Sequence, residues 1–158
     1  LLASSAASDV YKRQERYSAA NNHYVFEITE TIEMDQIPAV QNVFKEFVKN
    51  EFRFAIDDFG TGYSNYGYMR DRTFDIVKVD RSFVTDIDKL KDNYLMVSFI
   101  IKMAHEMGLH VCIEGVETKE ELSCVKKLGA DYIQGYYYGK PVCLQDFEEQ
   151  HLKRFVLG

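Results

Sequence analysis

The chain has 158 residues, of which 46% are apolar, 14% aromatic and 28% charged, and its formal net charge is −6. This composition suffices for one globular domain with a hydrophobic core and excludes general disorder. The acidic balance excludes a surface that binds a DNA or RNA duplex through its phosphates. No apolar run approaches the roughly 20 residues that cross a bilayer, so we expect no membrane contact from this segment.

The three cysteines follow neither a metal-binding nor a disulfide spacing. This pattern favours a reducing compartment, and we expect a cytoplasmic location. Residues 1–14 are rich in Ala and Ser and show no hydrophobic period, which is typical of a disordered tail or an added, non-native segment. Residues 15–158 are therefore taken as the folded domain.

Five short apolar runs predict β-strands, each carrying a polar residue near its end. The predicted strands are Tyr24–Glu30, Phe52–Asp57, Phe74–Asp80, Leu109–Glu114 and Tyr132–Gln134. The polar residues that close the runs are Glu27, Asp57, Lys78, Glu114 and Gln134. Their intervals of 20 to 36 residues are close to the period of about 30 expected for a barrel of eight strand–helix units. One ionisable or amide group per strand end is typical of barrel enzymes.

Apolar residues at helical spacing fill the intervals between the strands. Helices are predicted from Asp35 to Asn50, Asn65 to Arg70, Asn93 to Met107, Thr118 to Gly129 and Gln145 to about Val156. Thr118 and Glu121 have the spacing of a capping box, in which each side chain satisfies a free backbone N–H. Alternating strands and helices imply parallel pairing with right-handed crossovers, so the fold class is α/β.

The run that ends at Asp57 continues into Asp58 and a turn punctuated by Gly60 and Gly62. Parallel α/β proteins commonly build a site from acidic side chains at the carboxyl end of a buried strand. Asp and Gly are also the commonest turn residues, so this motif alone leaves a plain turn open.

Other motifs also have alternative interpretations. Lys78 fits either the inner end of a barrel strand, which we favour, or a poorly packed edge strand. The tyrosines at 136–138 are more typical of core and rim packing than of stacking on a base, so we assign them no site. His105 and His110 resemble the metalloprotease H-E-x-x-H motif, but the second His comes one residue late and after a helix-ending Gly.

Five motifs, in the same order along the chain, resemble those of the EAL-type phosphodiesterases, which hydrolyse the bacterial second messenger cyclic di-GMP. They are F-E-I-T-E at 26–30, D-D-F-G-T-G-Y-S at 57–64, K-V-D-R-S-F-V at 78–84, E-G-V-E-T at 114–118 and Q-G-Y at 134–136. The resemblance implies a TIM-type (β/α)8 barrel that hydrolyses cyclic di-GMP to linear diguanylate. It also implies two divalent ions, Mg²⁺ or Mn²⁺, per complete site, and a homodimer.

The resemblance assigns four metal ligands. Glu27 would hold one ion, Asp57 would bridge both, and Asp58 and Glu114 would hold the second. Carboxylate oxygens of this kind are the ligands that Mg²⁺ and Mn²⁺ prefer.

The resemblance assigns catalytic roles as well. Lys78 would position the attacking water beside Asp57, and Gln134 would hydrogen-bond metal-bound solvent. Glu30 would brace the loop that follows Asp58. The ammonium of Lys78 is also suited to stabilise developing negative charge.

The family's Glu-Ala-Leu motif and an Asn, both metal ligands in the family, have no counterpart in this sequence. We therefore expect a barrel truncated to about its last five βα units, with an unpaired strand edge, and little or no activity from this chain alone. The alternative function is a non-catalytic module that binds cyclic di-GMP or a protein partner. Upstream domains, and anchoring of a longer parent protein at the inner face of the membrane, are left open.

Overall fold

The computed structural model describes residues 24–29, 38–61, 73–143 and 145–147. Five strands form one sheet in chain order, and every neighbouring pair is parallel. The strands are β1 (Val25–Thr29), β2 (Arg53–Phe59), β3 (Ile76–Val79), β4 (His110–Ile113) and β5 (Tyr132–Ile133). All five predicted strands and their parallel pairing are confirmed. Parallel strands that follow one another in sequence order are typical of an arc of a (β/α)8 barrel.

Three α-helices connect the strands in the described residues: α1 (Pro38–Lys49), α2 (Lys91–Glu106) and α3 (Lys119–Leu128), and a short 3-10 helix (Arg81–Phe83) follows β3. The predicted capping box is formed, because the Thr118 hydroxyl accepts a hydrogen bond from the Glu121 N–H and the Glu121 carboxylate accepts one from the Thr118 N–H. Gly129 ends α3 with a φ of 89°. None of these helices has the length and apolarity needed to cross a membrane.

Two predicted helices fall largely or wholly outside the described residues. The one at 65–70 lies entirely outside them, and of the one that starts at Gln145 only 145–147 are described, as a helical turn. Asp35, the predicted N-cap of α1, also lies outside the described residues. The helix begins at Pro38, whose fixed φ suits the first turn of a helix.

The helices cover one face of the sheet. Alternate strand residues such as Ile56, Val77 and Val111 join the main apolar cluster together with Ile101 of α2 and Val125 of α3. On the opposite, inner face, Ala55, Ile76 and Cys112 form a small separate cluster. Since successive strand residues point to opposite faces, Lys78 lies on the inner face with Ile76.

Aromatic packing fixes β1 against its neighbours. Phe44 and Phe47 of α1 lie 4.0 Å from the Phe54 ring and 4.9 Å from the Phe26 ring, measured between centroids. Such ring pairs add to the free energy of burial. They hold β1 in register with β2, and β1 carries Glu27.

His105 and His110 do not share a helical face. His105 is in the last turn of α2, His110 opens β4, and both face Asp131, at 2.8 Å and 3.6 Å respectively. Asp131 also accepts a hydrogen bond from the Val111 N–H at 2.7 Å. This group ties β4 to the start of β5.

Candidate functional site

The end of β2 contains one extra residue. Ile56 pairs with Val77 and Phe59 pairs with Val79, so β2 has one residue more than β3 between these pairs. Asp58 has a φ of 54°, in the left-handed region that few non-glycine residues adopt. Such a bulge breaks the strict alternation of side chains. Asp57 and Asp58 can therefore serve the same site although they are adjacent in the strand.

Three carboxylates converge at the carboxyl ends of the strands. Single oxygen atoms of Asp57, Asp58 and Glu114 all lie within 4.8 Å of one another. Glu114 directly follows β4, and its N–H bonds to the carbonyl of Val79, the last residue of β3. The donor set fits Mg²⁺ or Mn²⁺, which prefer oxygen ligands. Among the described residues, no other group of three potential His, Cys, Asp or Glu ligands meets this criterion.

Lys78 connects this group to Glu27. Its Nζ lies 2.8 Å from Asp57 Oδ1, 2.8 Å from Glu27 Oε1 and 2.9 Å from Glu114 Oε1. The Lys78 side chain is only 7% exposed. Because β3 is the middle strand of the five, the edge-strand alternative for Lys78 is excluded.

The charges at the centre perturb one another. Burial alone lowers the pKa of Lys78, but hydrogen bonds to Asp57, Glu27 and Glu114 together outweigh it and raise the pKa above its ordinary value. Lys78 is therefore a permanent cation near neutral pH. Burial raises the pKa of Glu114, and the contact with Lys78 offsets this only in part.

Cys112 lies next to this centre on the inner face. Burial, with a further contribution from the Glu114 charge, raises the pKa of its thiol to about 11. A protonated, buried thiol is a poor nucleophile and metal ligand. Cys112 packs with Ala55 and Ile76 in the inner cluster.

A groove of about 230 Å³ on the inner face is lined by Glu27, Lys78 and Gln134 among others. Glu27 lies inside β1 rather than at its end, and its side chain is 50% exposed. Glu27 reaches Lys78 but is not a member of the convergent group of three. Glu30 lies outside the described residues, so its role stays a prediction.

Two glycines in the recognised motifs allow close backbone approach, a role that the sequence reasoning missed. A Cβ atom on Gly135 would lie 2.2 Å from the carbonyl oxygen of Val116. A Cβ atom on Gly115 would lie 2.3 Å from the Cβ of Arg81. The only sequence signal was the presence of Gly directly after Glu114 and Gln134.

A larger groove of about 470 Å³ follows β5 and is lined by Gln134, Tyr136, Tyr138 and Lys140 among others. The three tyrosines at 136–138 are exposed, and Lys140 Nζ lies 5.5 Å from the centroid of the Tyr136 ring. Of the two packing positions expected for these tyrosines, the structure shows the rim and not the core.

Together, the sequential parallel sheet and the acidic centre at its carboxyl edge define an α/β-barrel protein with a carboxylate site. The family model of the EAL domain matches residues 1–141, and the chain belongs to this family. The resemblance inferred from the five motifs is thus confirmed. The match begins at residue 1, whereas residues 1–14 were set aside as a tail; they lie outside the described residues, and that assignment stays a prediction.

Relatives of known name and structure agree with the family. The chain is 33% identical over 147 residues to the cyclic di-GMP phosphodiesterase PdeB of Shewanella oneidensis, covering 93% of this chain and 17% of PdeB. The structure of the EAL enzyme Bd1971 with cAMP and cyclic di-GMP bound matches with a TM-score of 0.78 at 33% identity, covering 90% of this chain and 38% of the other.

A third match is the manganese and cyclic di-GMP complex of Klebsiella pneumoniae BlrP1, with a TM-score of 0.74 at 28% identity, covering 87% of this chain and 35% of BlrP1. The structural matches, with the parallel sheet, confirm the TIM-type barrel class. The chain spans well under two thirds of the length of each of these three proteins.

Proposed function

We propose that this chain carries most of the catalytic centre of a cyclic di-GMP phosphodiesterase, which hydrolyses cyclic di-GMP to linear diguanylate with two divalent ions, Mg²⁺ or Mn²⁺. The observation that supports this proposal is the convergence of Asp57, Asp58 and Glu114 beside the Lys78 ammonium. The names of the relatives support it too, since PdeB is a cyclic di-GMP phosphodiesterase and BlrP1 was solved with manganese and cyclic di-GMP. A cytoplasmic location, where a bacterial second messenger acts, is part of the proposal.

The residues divide into those that would hold the ions and those that would act beside them. We assign Glu27, Asp57, Asp58 and Glu114 as the residues that would hold the ions, and Asp57 would serve both. When bound, such ions supply Lewis-acid activation of water and neutralise charge on the phosphodiester.

Lys78 has two tasks in this proposal. It balances the charge of Asp57 and Glu114 through contacts of 2.8 and 2.9 Å, and its positive charge stabilises negative charge that develops on the phosphate. Gln134, which lines the groove of about 230 Å³ together with Glu27 and Lys78, would hydrogen-bond solvent near the ions. Glu30 would brace the loop after Asp58.

Replacing Asp58 by Asn tests whether the three carboxylates form a metal centre. Asn tolerates the left-handed backbone of residue 58, so the fold should be kept while one charged ligand is lost. We expect Mn²⁺ binding, followed by the loss of the free-ion electron paramagnetic resonance signal, to weaken by about tenfold or more. Asp88→Asn, an exposed acid in the turn before α2, is the control and should bind like the wild type. Equal affinity of all three proteins would contradict the assignment.

The 158-residue chain by itself should hydrolyse cyclic di-GMP slowly or not at all, because its sequence contains no Glu-Ala-Leu motif. The same observation favours the second candidate function, a module that binds cyclic di-GMP or a protein partner without catalysis. Chromatography of the nucleotide products after incubation with Mn²⁺ separates the two functions. Accumulation of linear diguanylate that is lost in Asp57→Ala supports catalysis, and nucleotide binding without product supports the module.

We also propose that the protein forms a homodimer through α2. The helix exposes Leu95, Met96 and Phe99, with 54% of Leu95 and 58% of Phe99 accessible. Residues at this spacing lie on one side of a helix, and exposed apolar patches of this kind are typical of protein interfaces. We expect Phe99→Glu to be a monomer in sedimentation velocity, whereas the control Lys126→Glu on α3 stays dimeric. A wild-type monomer at tens of micromolar, or a dimeric Phe99→Glu variant, would contradict this interface.

A further inference from the structure

Glu121 is a buried carboxylate that the proposed function does not use. Its relative exposure is 6%, and among the described residues it and Lys78 are the buried charged side chains. Oε2 accepts hydrogen bonds from the N–H groups of Glu117 at 2.9 Å and Thr118 at 3.0 Å. Oε1 accepts a third from the N–H of Asp86 at 3.2 Å.

These contacts exceed what a helix cap requires. In a capping box the side chain of the N3 residue, here Glu121, bonds only to the N-cap N–H, here that of Thr118. The bond to Asp86 bridges 35 residues of sequence and ends at a residue whose φ is 56°. A non-glycine residue in the left-handed region persists only where its surroundings hold it there. Glu121 therefore acts as a cross-link between two loops as well as a cap.

Both cross-linked loops come from strands of the acidic centre. Asp86 lies in the turns that follow β3, the strand of Lys78, and Glu117 lies three residues beyond Glu114. The segment 114–118 is also held by the turn after β5, where the N–H of Val116 bonds to the carbonyl of Gln134 at 3.2 Å. Glu121 and the turn at Gln134 thus both hold the segment that begins with Glu114.

Glu121 is charged when it makes these contacts. Burial by itself raises the pKa of a carboxyl group, but the backbone N–H groups of Glu117, Thr118 and Asp86 outweigh this and hold the pKa of Glu121 below its ordinary value. Hydrogen bonds to a charged acceptor are stronger than neutral ones.

We propose that Glu121 is a positioning residue of the metal centre, which holds the segment 114–118 against the loop after β3 and so keeps Glu114 close to Asp57 and Asp58. This inference rests on the proposed function. A ligand held in place before the ion arrives binds it more tightly, because less conformational freedom is lost on binding.

Two substitutions of Glu121 separate its contacts. Glu121→Ala removes both carboxylate oxygens and with them all three hydrogen bonds. Glu121→Gln keeps one carbonyl oxygen for Glu117 and Thr118 and places an NH₂ group opposite the N–H of Asp86, so it breaks only the cross-link. The control is Val125→Ala, a truncation of a fully buried side chain on the same helix that makes no side-chain hydrogen bond to segment 114–118.

Mn²⁺ titration and amide hydrogen exchange of the 158-residue chain form the test. We expect Glu121→Ala to bind Mn²⁺ about tenfold more weakly than the wild type, as is usual when the outer support of a metal ligand is lost. The amides of Glu117, Thr118 and Asp86 should exchange faster in the same variant. Glu121→Gln should retain protection of the Glu117 and Thr118 amides, and its Mn²⁺ affinity should lie between those of Glu121→Ala and the wild type. Val125→Ala should bind Mn²⁺ like the wild type although it is less stable.

The possible results distinguish the inference from the function on which it rests. Unchanged Mn²⁺ affinity in Glu121→Ala, or an equal loss in Val125→Ala, overturns the positioning role. If Glu121→Ala does not fold, wild-type protection of the Asp86 amide in Glu121→Gln overturns the cross-link instead. If the wild-type chain binds no Mn²⁺, the proposed metal centre itself is contradicted, and unchanged exchange at Glu117 and Thr118 in Glu121→Ala still overturns the structural role.

Discussion

Replacing Lys78 by Met is expected to destabilise the metal-free chain by about 2 kcal/mol. Met keeps the length and apolar stem of Lys but leaves Glu27, Asp57 and Glu114 without the ammonium that lies 2.8–2.9 Å from each. Removing one partner of a buried ion pair typically costs about 3–5 kcal/mol. The carboxylates here are 20% to 50% exposed and partly screened by water, which reduces the expected loss. Urea denaturation in the presence of a chelator measures it.

The same variant should bind Mn²⁺ at least about tenfold more tightly than the wild type. At about 4 Å and an effective dielectric constant of about 20, two unit charges interact by roughly 4 kcal/mol. Removing the Lys78 ammonium from beside the carboxylates therefore strongly favours the binding of Mn²⁺ in its place. Addition of Mn²⁺ should restore more stability to Lys78→Met than to the wild type, which calorimetric titration and thermal unfolding can both follow.

Lys89→Met is the matched control for this prediction. Lys89 also contacts a carboxylate, Asp86 at 2.6 Å, but both side chains are at least half exposed. Exposed pairs contribute about 0–1 kcal/mol, so this variant should resemble the wild type in stability and in Mn²⁺ affinity. Wild-type stability of Lys78→Met, or a loss of Mn²⁺ binding in it, would show that Lys78 does not balance the charge of this centre.

Replacing Gly135 by Ala is expected to destabilise the chain by about 3 kcal/mol. The added Cβ would lie 2.2, 2.4 and 2.8 Å from the O, N and C atoms of Val116. These are backbone atoms that cannot rotate away, so the turn after β5 has to move. Such a shift breaks the hydrogen bonds that Val116 makes with Gln134 and Tyr137. Large losses of this kind come from overpacking and broken backbone contacts.

Gly139→Ala provides a sharp comparison, because no heavy atom lies within 4 Å of a Cβ added there. We expect this control to stay within about 0.5 kcal/mol of the wild type. Urea denaturation of both variants checks the difference. If the two substitutions lower the free energy of unfolding equally, the close approach of Gly135 to Val116 does not explain the Gly after Gln134.

Local patterns were sufficient to predict most elements of the described fold. The apolar run Phe52–Asp57 predicted β2, and the Thr118–Glu121 spacing predicted the start of α3, because strand alternation and helix capping act over only a few residues. The boundaries were less accurate. β2 was predicted to end at Asp57 but continues to Phe59, since the extra residue lets Phe59 pair with Val79.

The sequence nominated residues that the structure brings together, but it did not predict their arrangement, and their roles stay a prediction. Motif spacing identified Asp57, Asp58, Lys78 and Glu114, yet nothing local indicated that Lys78 contacts three carboxylates from three other strands or strand ends. Nor did the sequence distinguish Glu121 from an ordinary capping residue. Its contact with Asp86 joins residues 35 positions apart, and only the packed loops bring them together.

By itself, the sequence determined the family, the parallel order of strands and helices, and the residues that close the strands. These properties follow from hydrophobic period, turn residues and motifs, which are readable along the chain. The tertiary structure decided the bulge that turns Asp57 and Asp58 to one site, the balance of charge around Lys78 and the close approach of Gly135 to Val116. Each of these depends on distances between neighbouring strands, which exist only once the sheet has formed.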